Sequence, residues 1–264
     1  MSYRPEYLYI NIMVKDIIRY SFVAILLSIV AWLFSLMIAR VLNLDRVNCH
    51  AIEDLLFVLF LVSAFLKLKY IDLQDTISVK RFSVGVLIVA FVCLTAISYV
   101  VDISAALFNI SIEEQTQMEM DVVRHPFALF TVSVIAPITE EIIFRGAILR
   151  RMLQSSKQSP WVAIVCSAAL FSAGHIFSVM IANALFVGLL FGWLYYKTRS
   201  LLLTIYLHLA NNTLYSIILL TPLRDVQYTQ MSTWVVIVSI VFLAALSFVC
   251  LLWLNANFKK VISA

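Results

Sequence analysis

Long apolar runs dominate this chain. Tyr20 to Ala39 and Phe82 to Val101 each pass 20 residues without Asp, Glu, Lys or Arg, and Val226 to Phe258 passes 33. The apolar core of a bilayer is roughly 30 Å thick, and about 20 helical residues cross it. The runs are unbroken stretches of Leu, Ile, Val and Phe. A membrane barrel would instead show segments of about ten residues alternating apolar and polar, so helical spans are predicted. Read against the charge clusters, the pattern predicts eight helices, at about 17–41, 52–68, 82–107, 126–150, 159–178, 182–197, 200–221 and 232–255. Gln158 to Tyr196 is one uncharged stretch of 39 residues. As a single helix it would measure about 58 Å, nearly twice the apolar thickness, so a turn is placed near Ser178 to Asn183. Asn109 to His125 is polar and reads as an exposed loop. The fold class is all-α and polytopic, with about eight transmembrane helices in a single domain over 1–264.

Composition agrees with a membrane solvent. Of the 264 residues 63% are apolar and 13% charged, against about half and a quarter in soluble domains. With a mean hydropathy of +0.99, this excludes a disordered chain and argues against a soluble globule. The four cysteines are scattered without CxxC spacing and supply no framework for disulfides or zinc. The first apolar run lacks a small-residue cleavage site, so the first helix is expected to stay in the mature protein. The net charge of +4 matters less than its distribution. With eight helices and a cytoplasmic N-terminus, the inner segments collect Arg4, Lys15, Arg19, Lys67, Lys69, Lys80, Arg81, Arg145, Arg150, Arg151, Lys157, Lys197, Arg199, Lys259 and Lys260, which is 15 of the 19 basic residues. The outer segments keep Arg40, Arg46, Arg124 and Arg224, so both termini are expected to be cytoplasmic. The bilayer is the expected partner and no nucleic acid is; the oligomeric state stays open.

Ionisable groups near the bilayer interior are costly and are functional candidates by default. Glu140 and Glu141 follow the apolar run Phe127 to Ile138, and Arg145 lies four residues beyond Glu141. Residues i and i+4 share a helix face, so Glu141 and Arg145 can pair while Glu140 points about 100° away. The plain alternative is that both glutamates mark a helix end. His175 sits among apolar and small residues one turn after Phe171, as a catalyst or as a satisfied core histidine. His208 lies inside the apolar run Leu201 to Leu220 with Asn212 on its face, which is also how membrane helices hydrogen-bond one another. Counted along their helices, Glu140 and His208 lie roughly 9 and 12 Å from the cytoplasmic boundary.

Three short motifs occur in order over residues 137 to 212. GluGluIleIlePheArg (140–145) matches EExxxR, PheSerAlaGlyHis (171–175) matches FxxxH and HisLeuAlaAsnAsn (208–212) matches HxxxN. In this the chain resembles the CAAX-protease and bacteriocin-processing family of intramembrane proteases, also called Abi, with a motif-bearing core at about 126–221. The third motif admits Asn211 or Asn212, and Asn212 has the family's spacing. The resemblance implies a glutamic endopeptidase: Glu140 as general base, His175 holding the water, His208 and Asn212 donating to the oxyanion, with Glu141, Arg145 and Phe171 in support.

No cofactor is expected on that mechanism. The runner-up is zinc, for which two His and one or two Glu are an adequate ligand inventory, although HExxH is absent. A non-catalytic scaffold or bacteriocin-immunity protein on the same fold is the alternative of a different class. The expected substrate is a peptide or protein at the membrane, either a prenylated CAAX tail or a bacteriocin or signalling-peptide precursor. The short chain leans toward the precursor, in a prokaryotic plasma membrane, with the site opening to the cytoplasm.

Overall fold

The computed structural model describes residues 6–71, 82–107, 120, 122–155, 159–175, 181–222 and 231–262. Among them every regular element is a helix. In chain order these are α1 (Glu6–Leu42), α2 (Arg46–Lys67), α3 (Val84–Leu107), α4 (a rod from Pro126 to Ser155), α5 (Pro160–Ala173), α6 (Ile181–Thr198), α7 (Leu201–Leu219) and α8 (Thr233–Ile262). Among the described residues a helix overlaps each of the eight predicted segments, with altered limits, but not all of them are long and apolar enough to be spans. α2 starts earlier than its apolar run because Asp45 caps it, accepting the Asn48 backbone N–H at 2.8 Å. That bond holds the Asp45 carboxyl below its usual range. α5 ends at Ala173, five residues short of its predicted limit, so the break falls earlier than placed and His175 lies beyond the helix. The predicted 109–125 loop falls mostly outside the described residues.

Among the described residues six helices are long and apolar enough to cross a bilayer: α1, α2, α3, α4, α7 and α8. α5 has only 14 residues. α6 has 18 but carries Asn183, Tyr195, Tyr196 and Lys197, and half of it is buried against other helices. Protein rather than lipid is its solvent, so a uniformly apolar sequence is not required. By contrast α1 and α8 bury only 17% of their most apolar windows, and turn Phe22, Ile25, Met37, Val238, Phe242 and Phe248 outward. Those side chains face where lipid would be. The chain is an integral membrane protein by this measure.

Two apolar cores hold the helices. One joins α1, α2 and the second half of α4 through Tyr20, Leu61, Phe65, Ile148 and Leu149. The other joins α3, α6, α7 and α8 through Leu94, Phe191, Leu203, Leu207 and Leu254. α4 and α7 lie against each other between these cores.

Candidate active site

The α4 rod is not uniformly wound. Thr131–Ile135 and Ile142–Leu149 are π-helical, and the α-helical stretch Ala136–Glu141 between them ends on the two glutamates. Pro137 accounts for the first π segment, because it has no N–H and its ring crowds the preceding turn. The N–H of Ala136 reaches back five residues to the Thr131 carbonyl. The Val132 carbonyl thus loses its α-helical donor, and its π-helical donor would be Pro137, which has none. Asn212 Nδ2 of α7 donates to it instead at 3.0 Å. A backbone group freed by a proline is satisfied from the neighbouring helix, as the membrane interior demands.

Beyond Pro137 the two glutamates diverge. Glu141 is 0% exposed, and its Oε1 accepts from Arg145 Nη1 at 2.8 Å and from His208 Nδ1 at 3.0 Å. Arg145, equally buried, donates Nη2 to the Gly188 carbonyl at 3.1 Å, and its guanidinium lies 4.7 Å from the Phe171 ring centre and 5.4 Å from that of Phe191. Buried charges survive when paired and hydrogen-bonded, and this pair is both. Among the described residues only Glu141 Oε2 and Arg145 Nε are buried without a partner. Glu140 keeps 30% of its side chain exposed, with Oε2 at 3.6 Å from His208 Nε2. One imidazole therefore spans both glutamates.

His175 lies past the end of α5, its Nδ1 at 3.2 Å from the Phe171 carbonyl and its ring 5.1 Å from the Phe171 ring. The Phe171 ring also stands 6.0 Å from that of His208, so the two histidines flank one phenylalanine. This brings His175 toward the site although a count along its helix leaves it too deep. The turn is pinned by Ser172 Oγ donating to the Ile181 carbonyl at 2.8 Å. The structure thus gathers Glu140, Glu141, Arg145, Phe171 and His208, joins His175 to them through Phe171 alone, and puts Asn212 one turn along α7 with one amide hydrogen committed. Sequence reasoning missed Ser133 and Ser216, whose hydroxyls meet at 3.2 Å across α4 and α7. Ser216 follows His208 and Asn212 at the same i+4 step, which was the available signal.

A zinc site would need three or four ligands converging on one point. Among the described residues no group of three His, Cys, Asp or Glu does so.

Residues 123–214, which contain Glu140, Glu141, Arg145, Phe171, His175, His208 and Asn212, match the Rce1-like family, described as type II CAAX prenyl endopeptidase Rce1-like. The resemblance seen in the three motifs is borne out at the level of the whole segment. The chain is also 29% identical over 185 residues, 66% of its own length and 75% of the other's, to the "Putative membrane peptidase YdiL" of Bacillus subtilis (strain 168). No solved structure matches. The matched segment runs from just before α4 through most of α7, and α1, α2, α3 and α8 lie outside it.

Proposed function

We propose that this chain is an intramembrane endopeptidase in which Glu140 activates the water that hydrolyses the peptide bond. The observation that carries the proposal is the inequality of two adjacent glutamates. Glu141 is buried, with its Oε1 held by both Arg145 and His208, while Glu140 is partly open and faces His208 Nε2. The Rce1-like match and the peptidase relative support the same class.

In this mechanism Glu140 takes a proton as the water oxygen bonds to the carbonyl carbon. The carbonyl oxygen becomes an oxyanion and accepts from His208 Nε2–H and the second Asn212 amide hydrogen. His208 Nδ1 donates to Glu141, so a proton on Nε2 makes the ring an imidazolium. The Glu141 carboxylate 3.0 Å away is the charge that steadies it. As the carbon–nitrogen bond breaks, the proton on Glu140 passes to the departing amine. His175, held beside Phe171, orients the water. No metal takes part.

The substrate is a membrane-held peptide, and the site opens to the cytoplasm of a prokaryotic membrane, following the asymmetry of basic residues. The purified protein in liposomes, offered an internally quenched peptide ending in a prenylated CAAX sequence and its unprenylated form, tests this. Cleavage that survives prolonged phenanthroline treatment is expected. Activity lost to the chelator and restored by zinc contradicts the metal-free mechanism. No cleavage of either probe, together with an unchanged membrane peptidome in a deletion strain, favours the scaffold.

A further inference from the structure

Two helix ends depart from the common pattern in the same way. α2 closes on Lys69 (φ 58°) and α6 on Arg199 (φ 51°), both in the left-handed region where glycine is the least costly residue. The closures themselves are well formed. The Tyr70 N–H reaches back to the Phe65 carbonyl at 2.8 Å, and the Arg199 N–H to the Tyr195 carbonyl at 2.7 Å. Each helix thus keeps a cation at a position where any side chain costs stability, which directs attention to the side chain itself.

The two closures meet on α4. A Cβ built on Gly146 would stand 3.5 Å from Ile71 Cγ2 and 3.3 Å from Leu201 Cδ2, so the residues two places beyond Lys69 and Arg199 rest on the same glycine. Both cations lie just off the apolar spans, since that of α2 ends at Lys67 and that of α7 begins at Leu201. This is the level of the lipid headgroups. Other cations collect at the same end of the bundle. Lys197 Nζ and Arg199 Cζ each stand 5.8 Å from the Tyr196 ring centre, and the Arg19 guanidinium of α1 stands 5.1 Å from that of Tyr70. Arg19, Lys67 and Lys69 are exposed. Asp16 is shared by Arg19 and Arg151, so its one negative charge is divided between two arginines.

We propose that the paired turns at 67–71 and 197–201 bind the phosphate of an anionic lipid headgroup, with Lys69 and Arg199 as its two cations. A lipid phosphodiester offers a negative charge and acceptor oxygens at the bilayer surface, where basic side chains attract it. A zwitterionic headgroup carries its own ammonium and gains less from the same cations. Gly146 directly follows Arg145, so a lipid bridging the two turns braces the part of α4 that holds the Glu141–Arg145 pair. The inference is independent of which residue is the base.

The test is thermal unfolding of the purified full-length protein in a non-ionic detergent with added dioleoylphosphatidylglycerol, dioleoylphosphatidylcholine or inorganic phosphate. The phosphatidylglycerol is expected to raise the midpoint by at least about 2–4 °C, the equivalent of one basic residue at an anionic surface. The other two additions are expected to leave it unmoved, and added salt to shrink the shift. Lys69→Asn combined with Arg199→Asn separates binding from structure, because asparagine adopts the left-handed conformation more readily than either cation. This protein should unfold no earlier than wild type without lipid and lose the phosphatidylglycerol shift. Arg40→Gln combined with Arg46→Gln removes the same charge at the other end of α1 and α2 and should keep the shift. Should the asparagine pair not be recovered, Lys69→Asn alone is expected to reduce the shift, and an undiminished one overturns the inference. It is equally overturned by no shift in the wild type, by the same shift with phosphatidylcholine or inorganic phosphate, by a shift that survives in the asparagine pair, or by its loss in the glutamine pair.

Discussion

Along α4 and α7 the contacts between helices are polar: His208 with both glutamates, Asn212 with the Val132 carbonyl, Ser216 with Ser133. Along α5 and α6 they are close-packed. A Cβ added at Gly188 would stand 3.1 Å from the Ala168 backbone, and one at Gly192 3.0 Å from Ile164. Membrane helices lack a hydrophobic drive toward one another and associate through such hydrogen bonds or such close approach. The difference lies in what each seam leaves available. The glycine seam offers no unsatisfied group, only a fixed surface presenting Phe171 and the Gly188 carbonyl to Arg145. The polar seam keeps one carboxylate partly open. The site is the polar seam, braced from behind by the glycine one.

Breaking the brace at Arg145 should have the largest effect. Arg145→Met leaves the buried Glu141 without its guanidinium and with only His208 as partner, a loss of up to about 3–5 kcal/mol, seen as poor recovery and early thermal unfolding in detergent. Adding Glu141→Gln should recover part of it, because the stranded charge is gone.

The polar seam is tested by Asn212→Ala. Removing one oxyanion donor typically costs about a hundred- to a thousandfold in rate, so kcat should fall by that factor with KM nearly unchanged. An indifferent variant would reduce Asn212 to a cap for the Val132 carbonyl.

Gly188→Ala probes the close-packed seam. The added methyl meets backbone rather than a flexible side-chain end, so α5 and α6 must part, at about 1–3 kcal/mol. The Phe171 ring is 3.3 Å from the same point, so cleavage should decline with stability. The equivalent methyl at the exposed Gly85 meets nothing closer than 3.6 Å and should be tolerated.

The helices were legible because apolar runs and charge clusters locate spans directly. Their ends were less so. Three of them turn through left-handed residues that are not glycine, Asn43, Lys69 and Arg199, so the usual marker of a helix end is absent. α5 and α6 read as spans because short apolar helices and full spans share one composition; α5 has only 14 residues and α6 ends on Tyr195, Tyr196 and Lys197. The i+4 rule placed Glu141 on Arg145 and freed Glu140, yet it works within one helix. It said nothing of the Val132 carbonyl, which depends on a π-turn.

The central claim is that two neighbouring glutamates divide one site between chemistry and support, and Glu140→Gln beside Glu141→Gln tests it most directly. Each variant, purified in equal amount and checked for monodispersity, is assayed on the same quenched peptide in liposomes. The account predicts that Glu140→Gln is folded like wild type and inactive, while Glu141→Gln loses stability first and retains measurable cleavage in whatever fraction folds. A Glu140→Gln protein that cleaves at the wild-type rate, beside a Glu141→Gln protein that is fully folded and inactive, would contradict it.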